Sequence, residues 1–564
     1  MKKVLFLFLI SILNGSLFSQ INQRGVEITS EENQSVGTNY ALVVGISSYA
    51  HINQLLYADD DAYLFSDFLI NQQICAKKNI YRLIDSAATT ANFYKGLNRL
   101  RNKVQPNDRV FIYFAGHGDG ETDLESGFLL TYNCEANNYA ATSLDITMLE
   151  KYLNAFINKK VKVVLITDAC RSGNLAGGIN GASSTMSSIS KGFQNMVKIL
   201  SCQPNQLSQE KKYQNGGHGV FTYHLINGLN GWADRNNDNK VSLRELDFYL
   251  DEVGKETQQS QIPKLDGDPS FFIDEYKVDF KNSISNNNSE ANNFIANNKR
   301  NNIDTSWNEN PIYTSFINHI RNKKLINPNG DNAYETMESI KNNKDLSGFY
   351  DDMKLELSSF LEDEAQKWIS RYLRGELPNS RKQRIELADN AIQNLLYLEK
   401  IIGKGNIRFH EINNKRKVIE AYKNNIEFGP KMDRKYILEL EKVDSLNSNQ
   451  AWIKNICGLL YSSIGDYSNA ELKYKEAIKL APTWVFPISN LGQLNYKIKK
   501  YDNAEYFLKK TLEIDSNYVM GYNNLGALYK ELKRYDESET YYKIALSLDS
   551  NANVVNINLG NLYK

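Results

Sequence analysis

The chain of 564 residues carries 41% hydrophobic side chains, enough to bury several cores, which excludes a wholly disordered protein. Lys plus Arg and Asp plus Glu both number 66, so the net charge is zero. With no long basic stripe, no nucleic-acid partner is expected.

The N-terminus reads Met1-Lys2-Lys3, then an apolar run from Val4 to Leu13, then small and polar residues to Gln20. This is the order of a secretory signal peptide over 1–19, and it implies export to the periplasm or the medium. An uncleaved anchor is the alternative. The run is shorter than the ~20 residues of a membrane-spanning helix, and no later segment approaches that length, so no span is expected once the signal is removed. Cys75, Cys134, Cys170, Cys202 and Cys457 are an odd, scattered set. They do not form a disulfide framework, and at least one is expected to be a free thiol, the others being buried structural residues.

Between residues 38 and 276, Tyr40–Ile46, Arg109–Ala115 and Val161–Thr167 are β-branched and almost continuously apolar, as strands covered on both faces should be. Ala58–Leu69 and Leu144–Ile157 show helical spacing between them. The alternation predicts a three-layer α/β domain with a mainly parallel sheet. The stretches Phe114-Ala115-Gly116-His117-Gly118 and Asp168-Ala169-Cys170-Arg171-Ser172-Gly173 each follow an apolar run and set His117 and Cys170 53 residues apart. Both fall just past the carboxyl ends of strands, where open α/β sheets bind ligands. A thiol needs a base to become a nucleophile, so the pair points to a cysteine peptidase; a His-Gly turn is the plainer reading.

These stretches, together with Tyr57–Ala62, Leu200–Gln206 and Gly219–Tyr223, resemble the caspase/metacaspase family over roughly Tyr40 to Ile273. The resemblance implies a caspase-haemoglobinase-like fold, with Cys170 as nucleophile, His117 as acid and base, and the N–H groups of Gly118 and Cys170 as oxyanion hole. It also implies cleavage of polypeptides after Lys or Arg, with Asp168 and Asp61 in the substrate pocket, whereas animal caspases carry Gln at the position matching Asp168 and take aspartate. Local geometry agrees for Asp168, which is two residues from Cys170 on an extended segment and projects to the same side. A carboxylate there disfavours the thiolate unless a substrate cation lies between them. Asp61 equally suits a helix N-terminus, and Asp59 and Asp60 are neighbours able to share either role. Arg171 matches the caspase signature or is a solvated loop residue. Ser172 to Gln194 is rich in Gly and Ser, and Lys191 is its only basic residue, hence a candidate self-processing site in an otherwise plain loop.

Asp234, Asn236, Asp238, Lys240 (through its carbonyl), Ser242 and Glu245 occupy positions 1, 3, 5, 7, 9 and 12 of a twelve-residue loop that looks like an EF-hand Ca²⁺ site. Asn239 stands where that loop has Gly, and Asn tolerates the left-handed turn. An ordinary Asn/Asp turn is the alternative, and no other cofactor is required.

Residues 281–309 are an Asn/Ser-rich linker, and 310–430 have helical periodicity, as in Leu355–Leu373 and Arg384–Ile401, and read as a helical spacer. From 431 to 564, Gly458, Gly492, Gly526 and Gly560 recur every 34 residues, followed by Tyr467/Tyr501/Tyr535, Ala470/Ala504/Ser538 and Ala477/Thr511/Ala545. This all-α region resembles tetratricopeptide repeats, which implies a concave surface for a protein or peptide partner. The last repeat stops after its first helix, which either caps the stack or marks a truncation. The combined expectation is an exported cysteine endopeptidase acting after Lys or Arg, with partner-recruiting repeats. A catalytically silent caspase-like scaffold is the alternative, and a calcium-switched protease is a third reading.

Overall fold

The computed structural model describes residues 37–121, 126–136, 138–169, 185–190, 196–213, 216–275, 310–378, 380–432, 434–447 and 449–564. The expected signal peptide over 1–19, the expected linker over 281–309, Cys170, Arg171 and Lys191 lie outside them.

The central sheet has six strands, β1 (Asn39–Gly45), β2 (Ile80–Ile84), β3 (Arg109–Ala115), β7 (Lys162–Asp168), β8 (Val197–Leu200) and β12 (Lys264–Asp266), in the order β12-β8-β7-β3-β1-β2. All neighbours pair in parallel except the edge strand β12, which is antiparallel to β8. Strand β3 shows why these runs are apolar at both parities. Phe111, Tyr113 and Ala115 enter one core with helices α1 (Ala58–Asn71), α4 (Val220–Asn227) and α5 (Leu243–Glu256). Val110, Ile112 and Phe114 enter the other, with α2 (Thr90–Lys103) and α3 (Ile146–Asn158). Helix α3 starts two residues later than its spacing suggests, because Leu144–Asp145 form a short strand, β6, and the Asp145 side chain accepts from the Thr147 N–H. Strand β6 closes a small sheet with β4 (Gly118–Glu121) and β5 (Ser126–Leu129). Hairpin β9–β10 (Glu210–Tyr213, Gly216–Gly219) leads into α4, and β11 (Lys240–Ser242) pairs with β13 (Phe272–Glu275). The Gly/Ser stretch after Cys170 is not loop throughout. Residues 185–190 are helical, with Thr185, Met186 and Ile189 buried, so the site expected at Lys191 follows an anchored turn.

Beyond the linker come α6 (Pro311–Arg321), α7 (Ala333–Ser339), α8 (Ser347–Arg374), α9 (Arg381–Ile402), α10 (Phe409–Phe428) and α11 (Lys435–Leu446). Helix α8 lies along α2 of the α/β domain. Lys95 pairs with Glu356 at 3.1 Å, Asn92 accepts from Ser359 at 2.6 Å, and Thr89 donates to Asp363 at 3.2 Å. Arg408 enters the same seam, its guanidinium 3.4 Å from the Tyr94 ring centre and donating to Glu362 and Glu411. Burial alone would lower its pKa, but the two carboxylates outweigh that and hold the charge. At the end of α8, Arg374 reaches Glu135 at 2.5 Å and donates to His51 at 2.8 Å.

The repeats are helix pairs α12/α13 (Ala451–Ile464, Tyr467–Leu480), α14/α15 (Val485–Lys497, Tyr501–Ile514) and α16/α17 (Val519–Glu531, Tyr535–Leu548), followed by α18 (Asn553–Gly560). A methyl added to Gly458, Gly492 or Gly526 would lie 2.5, 2.8 or 2.6 Å from Tyr474, Leu508 or Tyr542 of the paired helix. The 34-residue period is therefore a packing period, in which a missing side chain lets a large one in. The core from Phe316 to Leu494 is continuous, so the 310–430 helices and the first repeats share one interior.

Replacing Arg408 by Ala leaves Glu411 and Glu362 with Lys415 alone as counter-charge, at 3.0 and 4.0 Å, and is expected to cost about 3 kcal/mol in denaturant titration. Burial, helped by Glu362, pushes the Asp363 carboxyl up to about 7. The folded chain then keeps a proton that the unfolded chain loses near pH 4, so stability falls as pH rises from about 4 to 7. Thermal unfolding should show this fall, and Asp363→Asn should reduce it, leaving the part due to Glu135, whose carboxyl burial also pushes up to about 7.

Candidate active site

Strands β3 and β7 pair in register, with Ala115 opposite Asp168, and the Gly116 N–H donates to the Asp168 carbonyl at 3.2 Å. His117 and Cys170 therefore each stand two residues beyond the same rung, on strands about 4.8 Å apart. The strands that precede them end side by side at one edge of the sheet, and Cys170 itself lies outside the described residues.

His117 is buried and held on two sides. Its N–H donates to the Tyr49 hydroxyl at 2.7 Å, and the two rings lie 4.9 Å apart. Its Nε2 is 3.0 Å from the carbonyl oxygen of Asn53. A carbonyl only accepts, so Nε2 carries the hydrogen and Nδ1 is the basic nitrogen. Gly116 is required beside it, because a Cβ there would sit 2.7 Å from the Tyr49 hydroxyl. Gly118 faces Leu129 across the β4–β5 ladder, and the Leu130 N–H donates to the His117 carbonyl at 3.0 Å. That bond makes Gly118–Leu129 a non-hydrogen-bonded pair, so the Gly118 N–H is not spent on the ladder and suits an oxyanion donor.

The two candidate pocket carboxylates are both fully buried and both meet the start of α4. Asp61, in the first turn of α1, accepts from the Gly219 N–H at 3.0 Å and from His218 Nδ1 at 3.1 Å. Asp168 accepts from Ser208 at 2.5 Å and from Thr222 at 2.8 Å. Gln261 braces this side by donating to Ser208 at 2.9 Å. Asp59 serves a different end, pairing with Ser47 at 2.6 Å and tying α1 to the end of β1. Of the residues here, Tyr49, Asn53, Ser208, His218 and Gln261 were not anticipated from sequence. They come from loops and a hairpin without periodic pattern, whereas Gly219 and Thr222 lay in a segment already singled out.

Cys75, Cys134, Cys202 and Cys457 are buried and unpaired. Burial pushes the Cys75 thiol up to about 12 and those of Cys134 and Cys457 higher still, so these three are poor nucleophiles.

In the Asp234–Glu245 loop, Asp234 accepts from the N–H groups of Asn237 and Asn239 at 2.7 and 3.0 Å, and Asn239 adopts the expected left-handed backbone at φ 62°. Glu245 accepts from Arg235 and Ser242 and closes a capping box at the start of α5. Among the described residues no group of three or more His, Cys, Asp or Glu gathers as a metal site. The loop oxygens stand in the right order for Ca²⁺, with side-chain oxygens of Asp234, Asn236, Asp238 and Glu245 accepting from backbone N–H groups of the loop itself.

Residues 38–270 match the Caspase domain family, and 456–483 and 519–552 match tetratricopeptide repeats. Metacaspase-1 of Saccharomyces cerevisiae (strain S288c) is 30% identical over 108 residues, 18% of this chain and 25% of that protein. Metacaspase-1 of Plasmodium falciparum (isolate 3D7) is 28% identical over 152 residues, 24% of each chain. Metacaspase-1 of Eremothecium gossypii is 27% identical over 170 residues, 28% of this chain and 36% of that protein. The chain thus spans about a quarter to a third of these relatives. Among solved structures, protein GSU0716 from Geobacter sulfurreducens matches with a TM-score of 0.30 at 18% identity, covering 42% of this chain and 96% of that one. The Arabidopsis OM64 TPR domain matches with a TM-score of 0.20 at 22% identity, covering 20% and 93%.

Tyr49→Phe leaves the His117 N–H without its acceptor at a buried point, a cost of about 1–3 kcal/mol. Calorimetry should show the melting temperature lowered by a few degrees, and steady-state kinetics should show turnover that depends on Cys170 reduced as His117 loses its brace.

Proposed function

We propose that this chain, a caspase domain continued by tetratricopeptide repeats, is an exported cysteine endopeptidase that cuts polypeptides after Lys or Arg and recruits a protein partner through its repeats. The carrying observation is the β3–β7 register, which starts His117 and Cys170 from one rung. Nδ1 of His117 takes the thiol proton, and the thiolate attacks the peptide carbonyl. The Gly118 and Cys170 N–H groups hold the oxygen that gains charge. His117 then returns the proton to the leaving amine, and a water deprotonated by the same nitrogen frees the acyl group. Asp61 and Asp168 supply the negative charge for a substrate guanidinium or ammonium, each held in place by hydrogen-bond donors, Gly219 and His218 for the first and Ser208 and Thr222 for the second.

Support for export is the basic, apolar and small-residue order of 1–20, and support for a partner is the repeat array. The silent-scaffold alternative has no observation in its favour, because both reacting residues are present. The test is the purified chain against blocked fluorogenic Arg, Lys and Asp peptides, with and without Ca²⁺, beside Cys170→Ala. Turnover of the Arg and Lys peptides is expected, lost at least 1000-fold in Cys170→Ala. Turnover of the Asp peptide alone refutes the pocket, and equal rates in Cys170→Ala refute the enzyme. Release of new fragments on incubation, prevented by Lys191→Gln, would establish self-processing.

A further inference from the structure

His117 is braced by a loop whose outermost contact comes from the helical region. The loop from Tyr49 to Gln54 supplies both the hydroxyl and the carbonyl that hold the base, from Tyr49 and Asn53. The Gln54 amide closes it on the Tyr49 backbone, accepting from the N–H at 2.6 Å and donating to the carbonyl at 2.7 Å. One flank is tied to the α/β domain, where the Ala50 N–H donates to the Tyr132 carbonyl at 3.0 Å. The tip, at the exposed His51, is met by Arg374 at the end of α8.

The guanidinium is set for that contact by its own partners. Nε and Nη2 donate as a fork to the two oxygens of Glu376 at 2.8 and 2.7 Å, and Nη1 donates to Glu135 at 2.5 Å. The second hydrogen of Nη1 goes to His51 Nε2 at 2.8 Å. An Arg only donates, so Nε2 offers its lone pair and the ring is neutral; partial burial and the adjacent guanidinium both push its pKa down. The end of α8 rests in turn on the repeats. The Trp484 indole donates to the Leu373 carbonyl at 2.9 Å, and the Asn455 amide donates to the Tyr372 hydroxyl at 2.8 Å. Gly375, at φ 72°, lacks a side chain where the Phe486 ring lies. Residues 372, 373 and 375 are thus seated on α12 and the start of α14, while residue 374 between them reaches the loop that holds His117.

We propose that Arg374 is a positioning residue for the base: through His51 it fixes the loop that orients the His117 ring, so that the helical region and its repeats complete the active site. This rests on the peptidase reading above. The Asn53 carbonyl takes the Nε2 hydrogen and so leaves Nδ1 for the thiol proton. A loop released at its tip lets the ring turn away from that alignment, and the rate falls with the share of time so spent. Ile52 and Leu55 still pack on the α/β core without Arg374, so alignment is lost and the fold is kept.

The test uses the full-length chain and two readouts. One is turnover of a blocked Arg peptide. The other is the rate at which iodoacetamide alkylates Cys170 at one fixed pH, followed by mass spectrometry of the peptide that carries it, which reports the thiolate and needs no substrate pocket. Arg374→Ala and His51→Ala are each expected to lower kcat and the alkylation rate about 3- to 30-fold, with KM changed less than about twofold. His51→Ala leaves Glu135 and Glu376 paired, which keeps the test independent of the seam. The double variant should fall no further than the slower single one, because both remove the same contact. His51→Gln, whose side-chain oxygen accepts at the place of Nε2, should stay within about twofold of the parent. Unchanged rates in His51→Ala, losses that multiply in the double variant, or a His51→Gln protein as slow as His51→Ala each overturn the role of Arg374 while the peptidase reading stands. Absence of turnover with the expected alkylation losses overturns the substrate reading and leaves Arg374 in its role. Alkylation of Cys170 no faster in the parent than in His117→Ala overturns both.

Discussion

The pairing of β3 with β7 is the constraint on which the rest depends. Parallel strands hold a fixed register, and Ala115 opposite Asp168 means that two chain segments 53 residues apart leave the sheet side by side. Everything reactive is then a matter of what each strand carries two residues later. One carries an imidazole already braced by Tyr49 and Asn53, and the other leads in sequence to Cys170. A slip of one residue would turn the apolar set of β3 into the wrong layers, so the two cores that hold the sheet also hold the register.

The same economy governs the acidic side of the cleft. Asp61 and Asp168 are fully buried, and a bare carboxylate in that setting would sooner take up a proton than keep its charge. Each is instead met by hydrogen-bond donors drawn from distant segments: Gly219 and His218 for one, Ser208 and Thr222 for the other. These donors converge because hairpin β9–β10 and helix α4 follow one another without a break, so a single excursion of the chain after β8 equips both acids.

The central strands, the helices between them and the repeats were legible because each is periodic: unbroken apolar runs for strands buried on both faces, helical spacing for α1 and α3, and glycines every 34 residues that turn out to admit Tyr474, Leu508 and Tyr542. His117 stood out because it follows an apolar run, and Asp168 through the family resemblance and its place two residues before Cys170. Tyr49, Asn53 and His218 were not. Their roles rest on a backbone carbonyl, a hydroxyl and a hairpin clamp, and none of these leaves a mark in a single sequence. The start of α3 was misplaced for a similar reason, since Leu144 is apolar in phase with the helix yet is spent on a strand. The seam between α2 and α8 was equally hidden: Arg408 and Glu362 read as ordinary surface charges until the fold brings Tyr94 beneath the guanidinium.

That seam changes what the covalent connection means. Residues 276–309 join the two halves in the chain, but Arg408, Arg374 and the face of α8 join them again in space, through contacts that involve no peptide bond. A nick between Glu275 and Asn310 would therefore yield two polypeptides on a denaturing gel and one particle in solution. The repeats would stay bolted to the α/β domain after the tether was gone.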